Sequence, residues 1–376
     1  MKMKHHIKAV LCILLTAVFV FANPAVTENA FAASKIKISK TKMTCCVGEA
    51  QTLKVTGTSK KVTWTSSNKK VVKVSSKGKI KALKPGKATI TARVAGKKLK
   101  CKVSVYDRIG TYYCLWNVNS DLSPSGKQLS EKEAAEVRYA INLLFDRSYI
   151  AKNIVGAGVK PASTCVAKGI TEPDGSQFYK HAGPKNAGYY PASSQKASAM
   201  KILEKYYTVS DGMVTDFPEI DYIYNVEDDA HREIAEYMQS KLKAVGIKMN
   251  VIGYEWNDFL TVLGKGNFTF ARYGWVADVN DANNFLESYV AGNADNYCRL
   301  GTGKHASSAV YKVKLKGIGK YKNLSGTWKQ TYKKLITYIG KEKNAVTRNK
   351  LLHKAEDLLM ETGCICPLYY YNIISG

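Results

Sequence analysis

The stretch FTFARYGWVADVNDANNFL, residues 268–286, decides how the rest of this chain is interpreted. Its first half alternates between two sets of side chains up to Gly274 and Trp275, which is the period of a β-strand. Its second half is rich in Asn and Asp, which favour turns and helix caps, and Asp278 is the first of these acids. The pattern predicts a strand ending in an aromatic-lined loop with one carboxylate at its edge.

Two interpretations of Trp275 and Asp278 are open from these residues alone. A carboxylate beside a Trp in a partly dry cleft binds a cationic group strongly, because a low dielectric strengthens the pairing. The alternative is structural, with Trp275 in the core and Asp278 capping a turn.

The first 33 residues have the pattern of a secretory signal peptide. Three lysines precede an apolar run over residues 9–22, and small residues at 30–33 offer a cleavage site. The 376-residue chain is 45% hydrophobic, enough for two or three domains, and no later stretch is apolar for long enough to span a bilayer. We therefore predict an exported protein, either soluble or held to the cell envelope by contacts.

Most of the net charge of +27 belongs to one short segment, residues 34–105, which has 20 basic residues and one acidic residue. Short alternating runs separated by turn signals predict a β-sandwich there. Its outward lysines would bind an anionic cell-wall polymer or membrane surface, or form a solvated face with no partner. Nucleic acid is disfavoured as a partner, because Trp64 is the one aromatic residue available for base stacking among the lysines.

Residues 62–94, VTWTSSNKKVVKVSSKGKIKALKPGKATITARV, resemble a group 2 bacterial Ig-like domain. The resemblance covers the segment 34–105 and implies a spacer or adhesive module of an exported protein.

A second resemblance begins at residue 110 and is carried by several motifs in one order. They are GTYYCLWNVN (110–119), VRYAINLLFDRSYIAKNIVGAGVKPA (137–162), DYIYNVEDDAHREIAEYMQSKLKAVGIKMNVIGYEWNDFLTVLGKGNF (221–268), ARYGWVADVNDANNFL (271–286) and LLHKAEDLLMETGCICPLYYYN (351–372). Together they resemble the family 5 extracellular solute-binding proteins, the oligopeptide and dipeptide receptors of ABC importers.

Members of that family are two-lobed and close over a peptide, whereas the segments that supply most of one lobe are missing before GTYY. The resemblances therefore imply a multi-domain architecture. A small all-β Ig-like sandwich (34–105) precedes an α/β lobe of the class II periplasmic-binding-protein type (106–376), which is the partial C-terminal portion of a receptor.

The second resemblance also implies roles for residues of the loop motif. Asp278 falls on the acid that pairs with the α-amine of a bound peptide, and Trp275 and Val276 lie where the loop backbone runs beside an extended ligand. Arg272 either meets a ligand carboxylate or forms a structural ion pair. The aromatic strand residues either face the cleft or pack in the core, namely Tyr113, Trp116 and Tyr370.

Catalytic and metal signatures are missing from the sequence. It contains neither HExxH nor GxSxG, its cysteines show no CxxC spacing, and we expect no catalytic residue, metal or cofactor. Eight cysteines follow the predicted signal peptide, and they are either oxidised in an exported protein or buried as free thiols.

Two functions from different classes are predicted. The first is extracytoplasmic binding of peptides or similar small solutes, with an ABC importer permease as partner. The second is a cell-surface structural or adhesive role, in which the truncated receptor lobe no longer traps ligand.

Overall fold

The computed structural model describes residues 35–47, 50–106, 109–156 and 158–371, so the predicted signal peptide lies outside the described residues. No helix within these ranges is long and apolar enough to cross a membrane. The buried side chains form two separate hydrophobic cores, one within residues 45–105 and the other within residues 112–370.

The N-terminal region of the described chain consists of short strands. They are β1 (Lys37–Ile38), β2 (Lys42–Cys46), β3 (Ala50–Thr52), β4 (Val55–Thr56), β5 (Thr63–Ser66), β6 (Val72–Val74), β7 (Lys79–Ala82), β8 (Gly86–Val94) and β9 (Lys97–Tyr106). A four-stranded sheet has the order β2–β9–β8–β5 and a three-stranded sheet the order β3–β7–β6, while β1 pairs with β4. β2 runs parallel to β9, and the other pairs are antiparallel.

Alternation of side chains explains how this region builds a core from so basic a sequence. In β9 the lysines are exposed, while Cys101, Val103 and Val105 between and after them are buried. Because successive side chains of a strand point to opposite faces, every second residue contributes to the core and the lysines stay in water.

The second region is built on a six-stranded sheet and two small two-stranded ladders of two or three residues per strand. Its strands are β10 (Gly110–Trp116), β11 (Lys160–Pro161), β12 (Val209–Ser210), β13 (Met213–Val214), β14 (Ile220–Asn225), β15 (Met249–Tyr254), β16 (Phe270–Val276), β17 (Tyr311–Val313), β18 (Leu324–Gly326) and β19 (Ile365–Tyr370). The large sheet has the order β11–β19–β10–β16–β14–β15, with β14 parallel to both of its neighbours. Every residue of the central strand β10 is buried, because the sheet is covered on both faces.

Helices cover the large sheet. They are α1 (Glu131–Leu143), α2 (Arg147–Tyr149), α3 (Lys196–Leu203), α4 (Asp229–Lys243), α5 (Trp256–Lys265), α6 (Asn283–Leu286), α7 (Trp328–Lys341) and α8 (Ala345–Glu361). Ser130 and Glu133 form a capping box at the start of α1. Asp228 caps the start of α4, where its side chain accepts from the Ala230 amide.

Buried polar side chains fix α1 against the sheet. Trp116 donates its indole N–H to Asn142 Oδ1 at 3.0 Å, and Asn142 donates to Gly363 O at 2.9 Å. Arg147 is fully buried and donates to three backbone carbonyls, among them Pro367 O at 2.7 Å. These contacts satisfy the buried polar groups and hold β19 in register beside β10.

Candidate ligand-binding edge of the large sheet

The second half of strand β16 has one edge that no described strand covers. β14 pairs with β16 at its first two residues only, whereas β10 pairs with it through Val276. Ala277 donates its amide N–H to Ile109 O at 2.8 Å, so the odd-numbered residues of this antiparallel ladder bond to β10. The peptide groups of Gly274 and Val276 therefore point away from β10, toward the open edge. They offer main-chain donors and acceptors to an extended ligand.

The open edge lies beside Tyr371, at the end of the described chain. A Cβ atom at Gly274 would lie 2.6 Å from Tyr371 Oη, and one at Gly110 would lie 2.7 Å from Tyr371 Cδ2. Both positions therefore need glycine for the tyrosine ring to pack against the strands. The same lack of side chains lets another backbone approach this edge closely.

Arg272 begins the open half of the strand, and its charge is uncompensated by the described residues. Its Nε atom is buried without a hydrogen-bond partner, and Cζ lies 5.1 Å from the centre of the Tyr112 ring. Tyr112 Oη is also buried without a partner. No carboxylate among the described residues forms an ion pair with Arg272, so the described part of the chain offers no partner for the structural ion pair considered for it. A partly buried guanidinium beside the Tyr112 hydroxyl is suited to a carboxylate of a ligand.

His231 completes this cluster from the first turn of α4. Its ring centre lies 5.6 Å from that of Tyr112, and its Nδ1 lies 3.0 Å from Asn225 O. Burial and the positive charge of Arg272 lower the pKa of His231 to about 4. At neutral pH the ring is therefore uncharged, with Nδ1–H donating to the Asn225 carbonyl.

The loop after β16 is held in place by side-chain hydrogen bonds. Asn284 Oδ1 accepts from Trp275 Nε1 at 3.0 Å and from the Asp278 amide at 3.1 Å. Asn280 Oδ1 accepts from the Thr171 amide at 3.0 Å. The sequence indicated that these asparagines form turns or caps. In the structure Asn284 accepts hydrogen bonds from both ends of the segment 275–278.

Asp278 lies at the exposed tip of this loop. The structure gives its carboxylate no hydrogen bond or ion pair to another described residue, in contrast to Asp281, which pairs with Arg348 at 2.8 Å. Asp278 is therefore free to meet a cation. It is not in a dry cleft, because the side chain is exposed.

The predicted site residues do not converge on one face of the sheet. Side chains alternate along β16, so Arg272 lies on the face of Tyr112, its register partner being Cys114, while Trp275 lies on the opposite face. Trp275 is partly buried and packs against the large core. Its indole positions the loop through Asn284.

Three aromatic residues proposed for the cleft are core residues instead. Tyr113, Trp116 and Tyr370 are at most 3% exposed. Tyr113 bonds the hydroxyl of Tyr289 at 2.8 Å, and Tyr370 bonds that of Thr164 at 2.5 Å. Since their polar atoms are satisfied inside the protein, these residues are unavailable to a ligand at the open edge.

The residues that sequence reasoning missed are Tyr112, His231 and Tyr371. They reach Arg272 from strand β10, helix α4 and the end of β19, which lie far apart in the sequence. Only the pairing of strands brings them together, and no local pattern predicts that pairing.

Other kinds of site receive no support from the described residues. No group of three or more His, Cys, Asp or Glu side chains in them could hold a metal ion. Six described cysteines are free and buried, namely Cys101, Cys114, Cys165, Cys298, Cys364 and Cys366. A cavity of about 760 Å³ lies between α1, α8 and residues 309–311, and the loop of Asp278 does not line it.

Comparison with known proteins identifies relatives of this chain. The profile of bacterial extracellular solute-binding proteins, family 5 Middle, matches residues 58–297, which begins inside the small sheets of the N-terminal region. The dipeptide-binding protein DppE of Bacillus subtilis is 27% identical over 271 residues, covering 72% of this chain and 42% of DppE. The periplasmic oligopeptide-binding protein OppA of Salmonella typhimurium is 27% identical over 281 residues, with 73% and 42% covered.

Solved structures show the same fold in the second region. The murein tripeptide binding protein MppA of Escherichia coli matches with a TM-score of 0.51 at 21% identity, covering 70% of this chain and 43% of MppA. A peptide-binding protein of a peptide ABC transporter matches with a TM-score of 0.51 at 19% identity, with 70% and 99% covered.

The fold is thus that of the periplasmic peptide-binding proteins, of the class II type. The chain spans less than half the length of the curated relatives that it matches. Members of the matched family bind solutes for transporters and are not enzymes. The chain belongs to family 5 of the bacterial extracellular solute-binding proteins.

Proposed function

We propose that the lobe of residues 106–376 binds extended peptides outside the cytoplasm, as the substrate-binding component of a peptide ABC importer does. The observation that carries this proposal is the open edge of β16 at Gly274 and Val276. A strand edge binds any peptide backbone through main-chain hydrogen bonds, so it tolerates many side chains. DppE and OppA, by their names, bind dipeptides and oligopeptides, which agrees with such a backbone-directed site.

Charged groups at the two ends of the edge set the orientation of the ligand. Asp278 takes the free amine and Arg272 takes the carboxylate, so the peptide runs antiparallel to β16. The two residues are six positions apart, which is at most about 20 Å at a strand rise of about 3.4 Å per residue. An extended peptide of at most about six residues fits within that distance at the same rise per residue. Val276 bonds the ligand backbone, and Trp275 supports the loop.

The N-terminal region has a separate role in this proposal. Residues 34–105 form a group 2 Ig-like domain that attaches the exported protein to an anionic polymer of the envelope. Support comes from the two small sheets with their own core and from the net charge of +19 counted from the sequence. An importer permease or another chain then completes the enclosure of the ligand on the open edge of β16.

A structural or adhesive role is the second candidate function. The exposed position of Asp278 favours it, because a ligand on this edge is left half in solvent by the described residues. In that case the Ig-like domain alone carries the function and the lobe is a spacer.

Calorimetry distinguishes peptide binding from the structural or adhesive role. The mature chain is titrated with a free tetrapeptide, with its N-acetylated form and with its C-terminal amide. Peptide binding predicts that the free form binds best and that each blocked end weakens binding separately. Failure of all three peptides to bind, with the lobe folded by circular dichroism, would support the structural role.

A further inference from the structure

The outward face of the sheet β2–β9–β8–β5 combines basic side chains with hydroxyl groups. We define the lysine face as Lys42, Lys87, Arg93, Lys98, Lys100 and Lys102, together with Thr44, Thr89, Thr91 and Ser104. All six basic residues are exposed, and the four hydroxyl residues stand between them on the same face. Three of the lysines form a line along β9, at every second residue.

This face places like charges directly opposite one another. Lys42 is the register partner of Lys102, and Arg93 is the partner of Lys98. Like charges at such positions destabilise a sheet. The described residues between 35 and 106 include no Asp or Glu, and none of the recorded ion pairs involves a residue of this region. The fold therefore gains nothing from this arrangement, which points to an anionic partner.

We propose that the lysine face binds a linear polymer of polyol or sugar units joined by phosphodiesters. This inference rests on the proposed attachment to the envelope, and it names both the face that makes the contact and the chemistry of the polymer. It does not depend on peptide capture by the lobe.

The mixture of ammonium and hydroxyl donors favours phosphate. A phosphate group accepts hydrogen bonds from Lys, Ser and Thr together, with the charged donors giving the strong contacts. The lysines of β9 are about 6.8 Å apart along the strand, twice the rise per residue, so successive phosphates of an extended chain can each meet one. A surface cavity of about 620 Å³ is lined by Lys42, Thr44, Lys87, Thr89 and Lys102, among others. The polymer can lie in this cavity.

Other anionic partners fit this face less well. A membrane surface is bound most strongly where apolar side chains enter it beside the lysines, and the lysine face contains none. A nucleic acid without sequence preference needs aromatic rings on which bases stack. Tyr106 alone continues the line of β9, and it stands at the end of that line, 58% exposed.

The test compares two variants of the full chain with the same loss of charge. One carries Lys98→Gln, Lys100→Gln and Lys102→Gln in β9. The control carries Lys73→Gln, Lys79→Gln and Lys81→Gln, whose side chains are exposed on the strands β6 and β7 of the other sheet. Affinity for a purified poly(glycerol phosphate) is measured by titration calorimetry over a series of salt concentrations.

With six phosphate contacts the parent chain should show a log–log salt slope of roughly −4 to −5. The β9 variant should bind about tenfold or more weakly with roughly half that slope, because half of the contacts are gone. The control should resemble the parent. Equal losses in both variants would overturn the inference, since net charge and not this face would then govern binding.

The chemistry is tested with a Thr89→Val, Ser104→Ala variant, which keeps every charge. It should lose preference for the phosphate polymer over a polyuronate of equal charge. Tighter binding of the parent to single-stranded DNA, or to vesicles of anionic phospholipid, than to poly(glycerol phosphate) would also overturn the inference. Retention on cell walls separates this inference from the proposed attachment. If deletion of residues 34–105 abolishes retention while the β9 variant is fully retained, the attachment stands and only the lysine face is rejected.

Discussion

Replacing Arg272 by methionine tests whether its charge serves the ligand or the fold. The guanidinium lies 5.1 Å from the Tyr112 ring centre and its Nε has no partner, so the fold loses one cation–π contact of about 1–2 kcal/mol. The change also removes a partly buried charge that has no counter-charge among the described residues, and the desolvation of such a charge opposes folding. We therefore expect the free energy of unfolding of Arg272→Met to be unchanged or higher than that of the parent.

The same change should weaken peptide binding. A charge-assisted hydrogen bond to the ligand carboxylate is worth about 1.5–3 kcal/mol. Affinity for a free tetrapeptide should therefore fall about tenfold to a hundredfold. The C-terminal amide of that peptide should bind the parent and the variant alike, because both changes remove the same pair.

Calorimetry measures the affinities and denaturant unfolding measures stability. Arg232→Met is a matched control, since Arg232 is an exposed residue of α4 whose recorded ion pairs are on the surface. It should change neither quantity by much. A loss of more than about 2 kcal/mol of stability in Arg272→Met, with unchanged affinity for the free tetrapeptide, would refute the reasoning and make Arg272 structural, because changes this large need a buried interaction.

Four further predictions follow from the same geometry. Asp278→Asn should weaken binding of free-amine peptides by at most about fivefold, since an exposed pair is worth roughly 0–1 kcal/mol; equal affinity for free and N-acetylated peptides on the parent would remove Asp278 from the site. Asn284→Ala should speed amide hydrogen exchange at residues 275–278, because both loop contacts are lost; unchanged exchange would contradict this. The pKa of His231, lowered to about 4 by burial and then by Arg272, means that the unfolded chain binds more protons between about pH 4 and 6.5. Stability should therefore rise with pH across that window, and His231→Gln should flatten the rise. Limited proteolysis should cut between residues 105 and 110 and leave a protected basic fragment, whereas resistance at that junction would argue for one cooperative unit.

The sequence predicted those features that depend on local pattern. The alternation before Trp275 predicted a strand, which begins at Phe270 in the structure. Family motifs indicated the class of fold in the second region, which the structural relatives share.

Features that depend on distant pairing could not be predicted in the same way. Alternation predicted the strand that carries Arg272 and Trp275, but not that Tyr112 and His231 meet Arg272. That contact needs β10 beside β16 and the start of α4 beside both. The burial of Tyr113 and Tyr370 likewise follows from the central position of β10 and β19 in the sheet, which the order of elements along the chain does not specify.

The geometry of the edge also determines how tightly this chain can hold a ligand by itself. A peptide on β16 bonds to the protein along one edge, so half of its backbone groups stay in water. Arg272 is partly buried, with its Nε atom out of contact with water, whereas Asp278 is exposed, so the two ends of the ligand contribute unequally. Ordering the peptide costs free energy, and the described residues enclose the peptide too little to offset that cost fully. The dissociation constant should therefore be micromolar or higher, which corresponds to a binding free energy of about −8 kcal/mol or weaker. A surface that covers the tip of the loop would exclude water from the ion pair between Asp278 and the ligand amine. That ion pair would then be stronger. Binding by this lobe should therefore tighten when a second lobe or chain covers Asp278, and the gain should vanish in Asp278→Asn.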